Sequence, residues 1–243
     1  MSAFQADTPI FRLPKNLTVG HRLFPFLHIQ TPMKTLIFCA GAPNPDLSIL
    51  QHINPDLLIG VDGGAARLVQ HGYTPDWAIG DFDSAPPPPQ AKNTLKLQPE
   101  KDDTDLEYAL LHILQNQHPE NIKQIIILGS LGGGRLDHLL CNIWLAHQPR
   151  FAPWLDKIHL IEQGNSVKFY RTGTHLLQPE NSKKYLSFIG LTPIKQLTLQ
   201  GMKYPLTDQD YAYPMALISN EFSDSQAQFS FESGTICVLQ THD

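Results

Sequence analysis

The chain has 243 residues, of which 42% are hydrophobic and 17% are charged. This composition supports a sizeable apolar core and excludes a chain that is disordered throughout. The formal charge is −5, and no run rich in Lys and Arg is present. We therefore expect neither nucleic acid nor a membrane surface as a partner, because both attract proteins through positive charge.

The chain contains three cysteines at widely separated positions, Cys39, Cys141 and Cys237. An odd number at these spacings predicts neither a disulfide framework nor a zinc site, and free thiols are typical of a reducing compartment. No apolar stretch approaches the roughly 20 residues of a membrane span, and no secretory signal is recognisable. These features favour a cytoplasmic protein.

The first half of the chain after an N-terminal arm has the pattern of an α/β domain. Residues 1–32 contain four prolines, which interrupt helices, and we expect an arm there. From 33 to 152, apolar runs alternate with helical patterns, including amphipathic stretches at 106–114 and 136–147. This alternation predicts a mostly parallel sheet with helices on both faces. The predicted strands are 35–40, 57–61, 76–79, 94–97 and 124–128.

The second half, from 153 to 243, has a different rhythm. Short apolar runs recur every eight to twelve residues with turn signals between them, which is typical of antiparallel β-structure. We predict a β-sandwich there. The candidate strands are 157–161, 166–170, 174–178, 184–189, 195–200, 215–218, 227–232 and 235–240.

Acidic residues cluster in the α/β half, near predicted strand-to-helix junctions. In open α/β sheets, ligands bind beyond the carboxyl ends of the strands. Carboxylates gathered at that edge repel one another unless a cation lies among them, and Mg²⁺ prefers such oxygen ligands together with substrate phosphates. The sequence therefore indicates a magnesium and phosphate site. The aspartates concerned are Asp62, Asp81, Asp83, Asp102, Asp103, Asp105 and Asp137.

Two of these aspartates lie in the run Gly-Asp-Phe-Asp-Ser at 80–84. In an extended chain, residues two apart face the same way, so Asp81 and Asp83 are predicted to hold one ion while Phe82 points into the core. The alternative is a turn in which an Asp accepts backbone N–H bonds.

A second acidic run, Lys-Asp-Asp-Thr-Asp at 101–105, opens the first amphipathic helix. Thr104 and Glu107 have the spacing of a capping box, which accounts for part of this acidity. Capping does not require three aspartates beside a lysine. Lys101 could bind a phosphate as a point charge.

Two glycine-rich turns complete the candidate site. Gly132, Gly133 and neighbouring glycines precede Arg135, and consecutive glycines let backbone N–H groups approach an anion. The spacing matches neither a Walker A loop nor the dinucleotide fingerprint. Arg135, His138 and Asn142 form a polar stripe, which indicates either phosphate binding or a solvated face. Asp62-Gly63-Gly64 similarly indicates either a nucleotide site or a tight turn.

Together, these segments resemble the thiamine pyrophosphokinase family. The matching motifs are Asp-Gly-Gly-Ala at 62–65, Gly-Asp-Phe-Asp-Ser at 80–84, Lys-Asp-x-Thr-Asp at 101–105, Gly-Gly-x-Arg-x-Asp-His at 132–138, and the segments 201–207 and 218–221. Each motif alone is modest, but six in series are specific, and the resemblance extends over residues 34–240.

The resemblance implies a Mg²⁺-dependent homodimeric enzyme that transfers the diphosphate of ATP to the hydroxyl of thiamine, giving thiamine diphosphate and AMP. Residues 33–152 would form the nucleotide- and metal-binding catalytic domain, and 153–243 a sandwich for thiamine binding and dimerisation. The resemblance places Asp81, Asp83 and Asp105 on the metal, and these three with Arg135 and Asp137 in catalysis.

The implied ligand contacts are more extensive. The nucleotide side comprises Asp62, Gly63, Gly64, Lys101, Asp102, Gly132, Gly133 and Arg135. The thiamine side comprises Asp137, Tyr204, Ser219 and Asn220, the last three reaching across the dimer interface. The family often has tryptophan where this chain has Tyr204, a ring that can still stack on a cation.

Three other functions fit parts of the sequence. A diphosphokinase could act on another alcohol, such as a hydroxymethylpterin. Asp81-x-Asp83 also occurs in haloacid-dehalogenase-like phosphatases, but Ala85 and the two preceding strands disfavour that function. A sensor of nucleotide or thiamine would bind without producing AMP, and such a protein would not need so many carboxylates.

Overall fold

The computed structural model describes residues 33–243 except Ser84 and Gly133. The predicted arm at 1–32 lies outside the described residues. The described part contains fourteen strands in two sheets. The strands are β1 Lys34–Cys39, β2 Leu57–Val61, β3 Trp77–Gly80, β4 Asn93–Lys96, β5 Ile122–Leu128, β6 Ile158–Ile161, β7 Asn165–Tyr170, β8 Gly173–Leu177, β9 Tyr185–Gly190, β10 Ile194–Gln200, β11 Leu206–Tyr211, β12 Met215–Asn220, β13 Ala227–Phe231 and β14 Ile236–Thr241.

Three α-helices connect the strands of the first half. They are α1 Gly63–Gln70, α2 Asp105–Leu114 and α3 Leu136–Trp144. The predicted helix 136–147 is thus α-helical to Trp144 and continues as a 3₁₀ turn over Leu145–His147. A longer 3₁₀ segment, Pro149–Lys157, then leads into β6.

The larger sheet has ten strands in the order β12-β9-β14-β7-β6-β5-β1-β2-β3-β4. The six strands from β6 to β4 run parallel to one another. Adjacent residues of β1 enter different cores, since Phe38 packs with Leu110 of α2, and Ile37 packs with Leu68 of α1. Helices therefore cover both faces, which confirms the predicted α/β class.

The other end of this sheet is antiparallel and packs on a four-stranded sheet with the order β11-β10-β13-β8. Apolar side chains from both sheets fill the space between them, and the Phe188 and Phe229 rings meet edge to face at 5.2 Å. Antiparallel sheets that bury one face against each other form a sandwich. This arrangement confirms the predicted second half.

The ten-stranded sheet crosses the predicted domain boundary at 152/153, because β6 pairs with β5 on one side and with β7 on the other. The functional division into 33–152 and 153–243 stays a prediction. One strand, β11 at Leu206–Tyr211, is missing from the predicted set. Its sequence Leu-Thr-Asp-Gln-Asp-Tyr lacks apolar alternation because it is an exposed edge strand.

The three cysteines are free thiols, as predicted, and Cys39 and Cys237 are buried. Burial raises the pKa of each of these two thiols to about 12, so both are inert packing residues. Among the described residues, no helix is both long enough and apolar enough to cross a bilayer.

One titratable group in the sheet predicts a pH-dependent stability. The ring of His159 on β6 is 12% exposed and lies 3.6 Å from Glu180, with Lys168 and Lys183 nearby. Burial, aided by the two lysines and opposed by Glu180, lowers the pKa of His159 to about 3. As the pH falls below the ordinary histidine value of about 6.5, the unfolded chain takes up a proton that the folded chain refuses. Stability is therefore lost on acidification.

We expect His159→Gln to flatten this loss between pH 6.5 and 5 by up to about 1.4 kcal/mol per pH unit. The free energy of unfolding from urea titrations at several pH values measures the slope. His118→Gln serves as the control because that histidine is exposed. Equal slopes for the His159 variant and the unmodified protein would contradict the assignment.

Candidate active site

A cleft of about 280 Å³ opens at the carboxyl ends of β1, β2 and β5. The chain runs outward from β1 through β2, β3 and β4, then crosses to the other side of β1 to form β5. Such a reversal leaves a crevice, and ligands of open α/β sheets bind there. The cleft is lined by residues 40–43, 61–62, 104–106, Gly129, Ser130, Gly132, Arg135, His138 and Asn142.

The turn after β2 is tightly constrained. A Cβ on Gly64 would lie 1.9 Å from the carbonyl oxygen of Cys39, so only glycine lets α1 start this close to β1. Asp62, just before the helix, has a φ of 45°, a conformation that costs a non-glycine residue free energy. Strained residues of this kind concentrate at functional sites, and this one aims a carboxylate into the cleft.

Three carboxylates converge at this edge. Asp62 follows β2, Asp81 follows β3, and Asp105 begins α2, and each offers an oxygen within 4.8 Å of the others. All three are half-buried. Three carboxylate oxygens at this spacing fit a hard divalent cation such as Mg²⁺. We call these residues the acidic triad.

Lys101 partly neutralises the triad in this structure. Its ammonium lies 2.9 Å from Asp105 Oδ1 and 3.5 Å from Asp81 Oδ2, and it donates to the carbonyl oxygen of Gln98 at 3.2 Å. Burial alone would lower the pKa of Lys101, but the Asp105 and Asp81 carboxylates outweigh it and raise that pKa. The lysine thus stays charged among the acids.

Asp105 remains incompletely satisfied within the described part of the chain, despite this lysine. Its buried Oδ1 is close enough to Lys101 for an ion pair, but the pair lacks hydrogen-bond geometry. Burial raises the pKa of Asp105, Lys101 opposes the rise, and the Asp81 and Asp62 charges add to it. A buried oxygen that lacks a well-directed hydrogen bond among like charges is the chemistry of a cation ligand.

The structure places Asp83 differently from the prediction. Phe82 is buried as expected, but its φ is 53°, so the chain is not extended there and the geometry that the prediction assumed for Asp81 and Asp83 is absent. The Asp83 N–H donates to Asp81 Oδ1 at 3.2 Å, and Asp83 is exposed. The converging set contains Asp62 instead, whereas a metal role for Asp83 stays a prediction.

The glycine-rich loop after β5 forms the opposite wall of the cleft. Gly129 has a φ of 66°, and the loop is anchored by buried Asn142 of α3, whose Nδ2 donates to the Ser130 carbonyl oxygen at 2.7 Å. Gly132 is exposed at the cleft. The predicted Gly133 lies outside the described residues.

Arg135 and Asp137 lie at the rim, paired with each other at 2.7 Å and about two-thirds exposed. A hydrogen bond from Arg135 lowers the pKa of Asp137. Among the other predicted nucleotide contacts, Gly63 and Gly64 begin α1 beside the cleft, whereas Asp102 is exposed. Their roles as ligands stay predictions.

The predicted thiamine residues lie in the sandwich half. Buried Asn220 accepts hydrogen bonds from the N–H groups of Tyr204 and Glu221 and donates to the Tyr204 carbonyl oxygen, all at 2.9–3.0 Å. Most of its hydrogen-bonding capacity is therefore used to hold the Tyr204 backbone. Ser219 has a φ of 61°, and its N–H donates to Ser187 Oγ at 3.1 Å. Tyr204 is 57% exposed.

Two features of the cleft are missing from the sequence prediction. The segment 40–43 after β1 lines it, although the sequence predicted only a strand over 35–40 there. Asp62, which the resemblance placed on the nucleotide side and outside the metal set, is a member of the acidic triad. Strand order would have indicated both, because β1 and β2 lie beside the point where the sheet reverses.

The fold and the cleft define a class: an α/β protein fused to a β-sandwich, with an acidic cluster and a glycine-rich loop at the switch point of its sheet. Comparisons with known proteins narrow this class. The model of the thiamin pyrophosphokinase catalytic domain matches residues 51–154, and that of the thiamin pyrophosphokinase vitamin B1 binding domain matches residues 174–236.

Individual relatives agree. The thiamine pyrophosphokinase of Bacillus subtilis is 36% identical over 224 residues, covering 87% of this chain and all of the relative. The crystal structure of a thiamin pyrophosphokinase family protein from Enterococcus faecalis is 35% identical with a TM-score of 0.78, covering 86% of this chain and 99% of that one. The yeast thiamin pyrophosphokinase structure, at 13% identity, shares the fold with a TM-score of 0.66 over 96% of both chains. The chain belongs to the thiamine pyrophosphokinase family and is an enzyme of that family.

The acidic triad predicts which aspartates set cation affinity. We expect Asp62→Asn to weaken Mg²⁺ binding at least about tenfold, because loss of even an indirect partner of a metal ligand costs 10–100-fold. Asp83→Asn, outside the triad, should change it by less than about threefold. Isothermal titration with Mg²⁺, or with Mn²⁺ as a substitute, measures both. The opposite order of effects would restore the set Asp81, Asp83 and Asp105.

Proposed function

We propose that this chain transfers the diphosphate of ATP to the hydroxyl of thiamine, releasing AMP and thiamine diphosphate. One observation carries the proposal: three half-buried carboxylates converge beside Lys101 at the switch point of the sheet, and two of them, Asp62 and Asp105, line the cleft, in a chain of the thiamine pyrophosphokinase family. A site of this kind suits a divalent cation and a phosphate chain together.

Mg²⁺ fits the acidic triad as a cofactor, with Asp62, Asp81 and Asp105 as its ligands. When bound, the ion supplies positive charge to the phosphate oxygens around the reacting phosphorus. Lys101 is close enough to share that task as a second positive charge. Because this ammonium contacts two members of the triad, some of these contacts must break when a cation binds there.

The glycine-rich loop and Arg135 serve the phosphates on the other wall. Backbone N–H groups of the loop face an anion without a Cβ in the way, at Gly132 for instance. Arg135 is about two-thirds exposed and pairs with Asp137 in its own turn. Such exposed pairs contribute little stability, so the guanidinium can exchange the carboxylate for a phosphate oxygen at small cost.

The reaction then depends more on the alignment of the two substrates than on a strong base. The thiamine hydroxyl attacks the β-phosphorus in line, the bond from that phosphorus to the AMP oxygen breaks, and the hydroxyl proton must leave. Asp137 is a weak acceptor because Arg135 lowers its pKa. Asp105 has a raised pKa but would lose basicity as a metal ligand. Alignment of the two substrates therefore supplies most of the rate.

The thiamine side consists of Tyr204, Ser219, Asn220 and Asp137. Tyr204 is an exposed aromatic residue whose ring already has the Lys203 ammonium 5.5 Å from its centroid, so it suits a cationic thiazolium or a pyrimidine, and Asn220 fixes its backbone. We propose that the site is completed across the interface of a homodimer, with the sandwich of one subunit facing the nucleotide cleft of the other. We also propose a cytoplasmic enzyme without nucleic-acid or membrane partners.

The direct test mixes the protein with ATP, Mg²⁺ and thiamine, and resolves AMP and thiamine diphosphate by chromatography. We expect Asp105→Asn to lower turnover on the order of 100-fold or more, because it removes charge that acts on the phosphates. The control is Asp210→Asn, which alters an exposed pair with Lys195 in the sandwich.

Other outcomes of this assay are equally informative. Release of AMP with a hydroxymethylpterin but not with thiamine would redirect the proposal to a different alcohol. Tight binding of ATP or thiamine without any AMP would indicate a sensor. Either result overturns the proposed activity.

The role of Tyr204 gives a separate prediction. Tyr204→Ala should raise the KM for thiamine about tenfold, since stacking of a partly desolvated cation on an aromatic ring contributes roughly 1–2 kcal/mol. The KM for ATP should not change. Tyr204→Trp should keep or lower the thiamine KM, because tryptophan binds cations more strongly than tyrosine. Steady-state kinetics with each substrate varied in turn measures both, and an equal rise in both KM values would contradict a thiamine-specific contact.

A further inference from the structure

An arginine from a distant part of the chain forms ion pairs with the segment that carries Lys101 and Asp105. Arg150 belongs to the 3₁₀ segment that follows α3. Its Nη2 lies 2.6 Å from Asp103 Oδ1 and 3.6 Å from Glu107 Oε1. These two acids flank Asp105 by two residues on either side.

Glu107 is the centre of this contact. It is a buried carboxylate, 5% exposed, on the first turn of α2. Its Oε2 accepts the Thr104 N–H at 2.9 Å, and Thr104 Oγ1 accepts the Glu107 N–H at 3.2 Å, which completes a capping box. Its Oε1 accepts from Gln148 Nε2 and faces Arg150. Capping therefore explains one oxygen, and the other binds the segment after α3.

Gln148 couples the two ends of this arrangement. Its Oε1 accepts from Arg150 Nε at 2.6 Å, while its amide nitrogen donates to Glu107. The guanidinium is thereby held in a fixed orientation by Gln148, Asp103 and the adjacent Phe151 ring, 5.3 Å from the ring centroid. The planar guanidinium presents several N–H donors in a fixed geometry, and this distinguishes arginine from lysine.

The charges of the segment 101–107 show why the ion pairs of Arg150 matter. The segment 101–107 carries four acids and one lysine. Lys101 faces Asp105 and the neighbouring Asp81, so Asp103 and buried Glu107 require another cation. Arg150 supplies it. Without that charge, the buried Glu107 carboxylate would be left uncompensated.

We propose that Arg150 is a positioning residue for the cation site: by neutralising Asp103 and Glu107, it holds the 101–105 loop in the conformation that presents Asp105 and Lys101 to the cleft. This inference rests on the proposed function for the assignment of Asp105 as a cation ligand. Arg150 itself does not contact the acidic triad through any of its described ion pairs.

The test compares the Mg²⁺ dependence of Arg150 variants. We expect Arg150→Gln to weaken Mg²⁺ binding and to raise the Mg²⁺ concentration for half-maximal turnover about tenfold, while the KM for thiamine stays the same. Saturating Mg²⁺ should restore most of the turnover. Arg150→Lys keeps the charge but lacks the planar guanidinium. We expect its half-maximal Mg²⁺ concentration to lie between those of the unmodified protein and Arg150→Gln. The control is Arg171→Gln, at an exposed arginine of the sandwich half.

A double-mutant cycle with Asp103→Asn separates positioning from general stability. If Arg150 acts by neutralising that acid, the loss in the double variant should be smaller than the product of the two single losses. Variants that melt earlier but keep the original Mg²⁺ dependence would show a merely structural role and overturn the proposal. So would an unchanged Mg²⁺ affinity in folded Arg150→Gln.

Titration of Mg²⁺ by calorimetry, without ATP or thiamine, keeps this result distinct from the enzymatic assay. If the unmodified protein binds Mg²⁺ through Asp105 but makes no AMP, the proposed function fails, and the Arg150 comparison still tests whether Arg150 sets the cation affinity. If AMP is made and Arg150→Gln binds Mg²⁺ normally, the positioning inference alone fails.

Discussion

Repulsion among carboxylates at one edge of the parallel sheet is the constraint on which the site depends. Asp62, Asp81 and Asp105 are brought within ion-binding distance by three different elements, and each is half-buried. Close carboxylates at reduced solvent exposure are unfavourable unless cations balance them. Lys101 supplies part of that balance through its contacts with Asp81 and Asp105, while Arg150 pairs with the neighbouring acids Asp103 and Glu107 of the same segment.

The sheet determines where this charge collects. Parallel strands place their carboxyl ends at the same edge, and the crossing from β4 to β5 opens a crevice beside β1. Close packing then brings the turns near enough to cooperate, since Gly64 lets α1 start against the carbonyl oxygen of Cys39. The backbone at Asp62 accepts a strained φ of 45° in this setting. Rigid strands thus position flexible acidic side chains, which is how a buried core serves a polar site.

Sequence patterns predicted the strands and helices better than the contacts between residues that are distant in the chain. Apolar runs such as Ile125–Leu128 identify buried parallel strands directly, and the Thr104 capping box marks the start of α2. The edge strand β11 was not predicted because its four central residues are polar and exposed, which leaves no apolar alternation. The pairing of Asp81 with Asp83 on one ion was argued from an extended chain, and the positive φ of Phe82 breaks the extended geometry on which that spacing argument relied. Contacts between distant segments, such as Arg150 with Asp103, leave no local pattern in the sequence.

The two positive charges of the cleft are held in contrasting ways, which suggests different parts in the binding of substrates. Lys101 is about one-sixth exposed and contacts two partly buried acids, whereas Arg135 and Asp137 are about two-thirds exposed at the rim. Exposed pairs exchange partners at little cost, but a shielded pair resists separation. In the proposed reaction, a phosphate would therefore displace Asp137 from Arg135 at little cost. A cation entering the triad would instead compete with the Lys101 ammonium, which a phosphate entering with the cation would attract away from the acids.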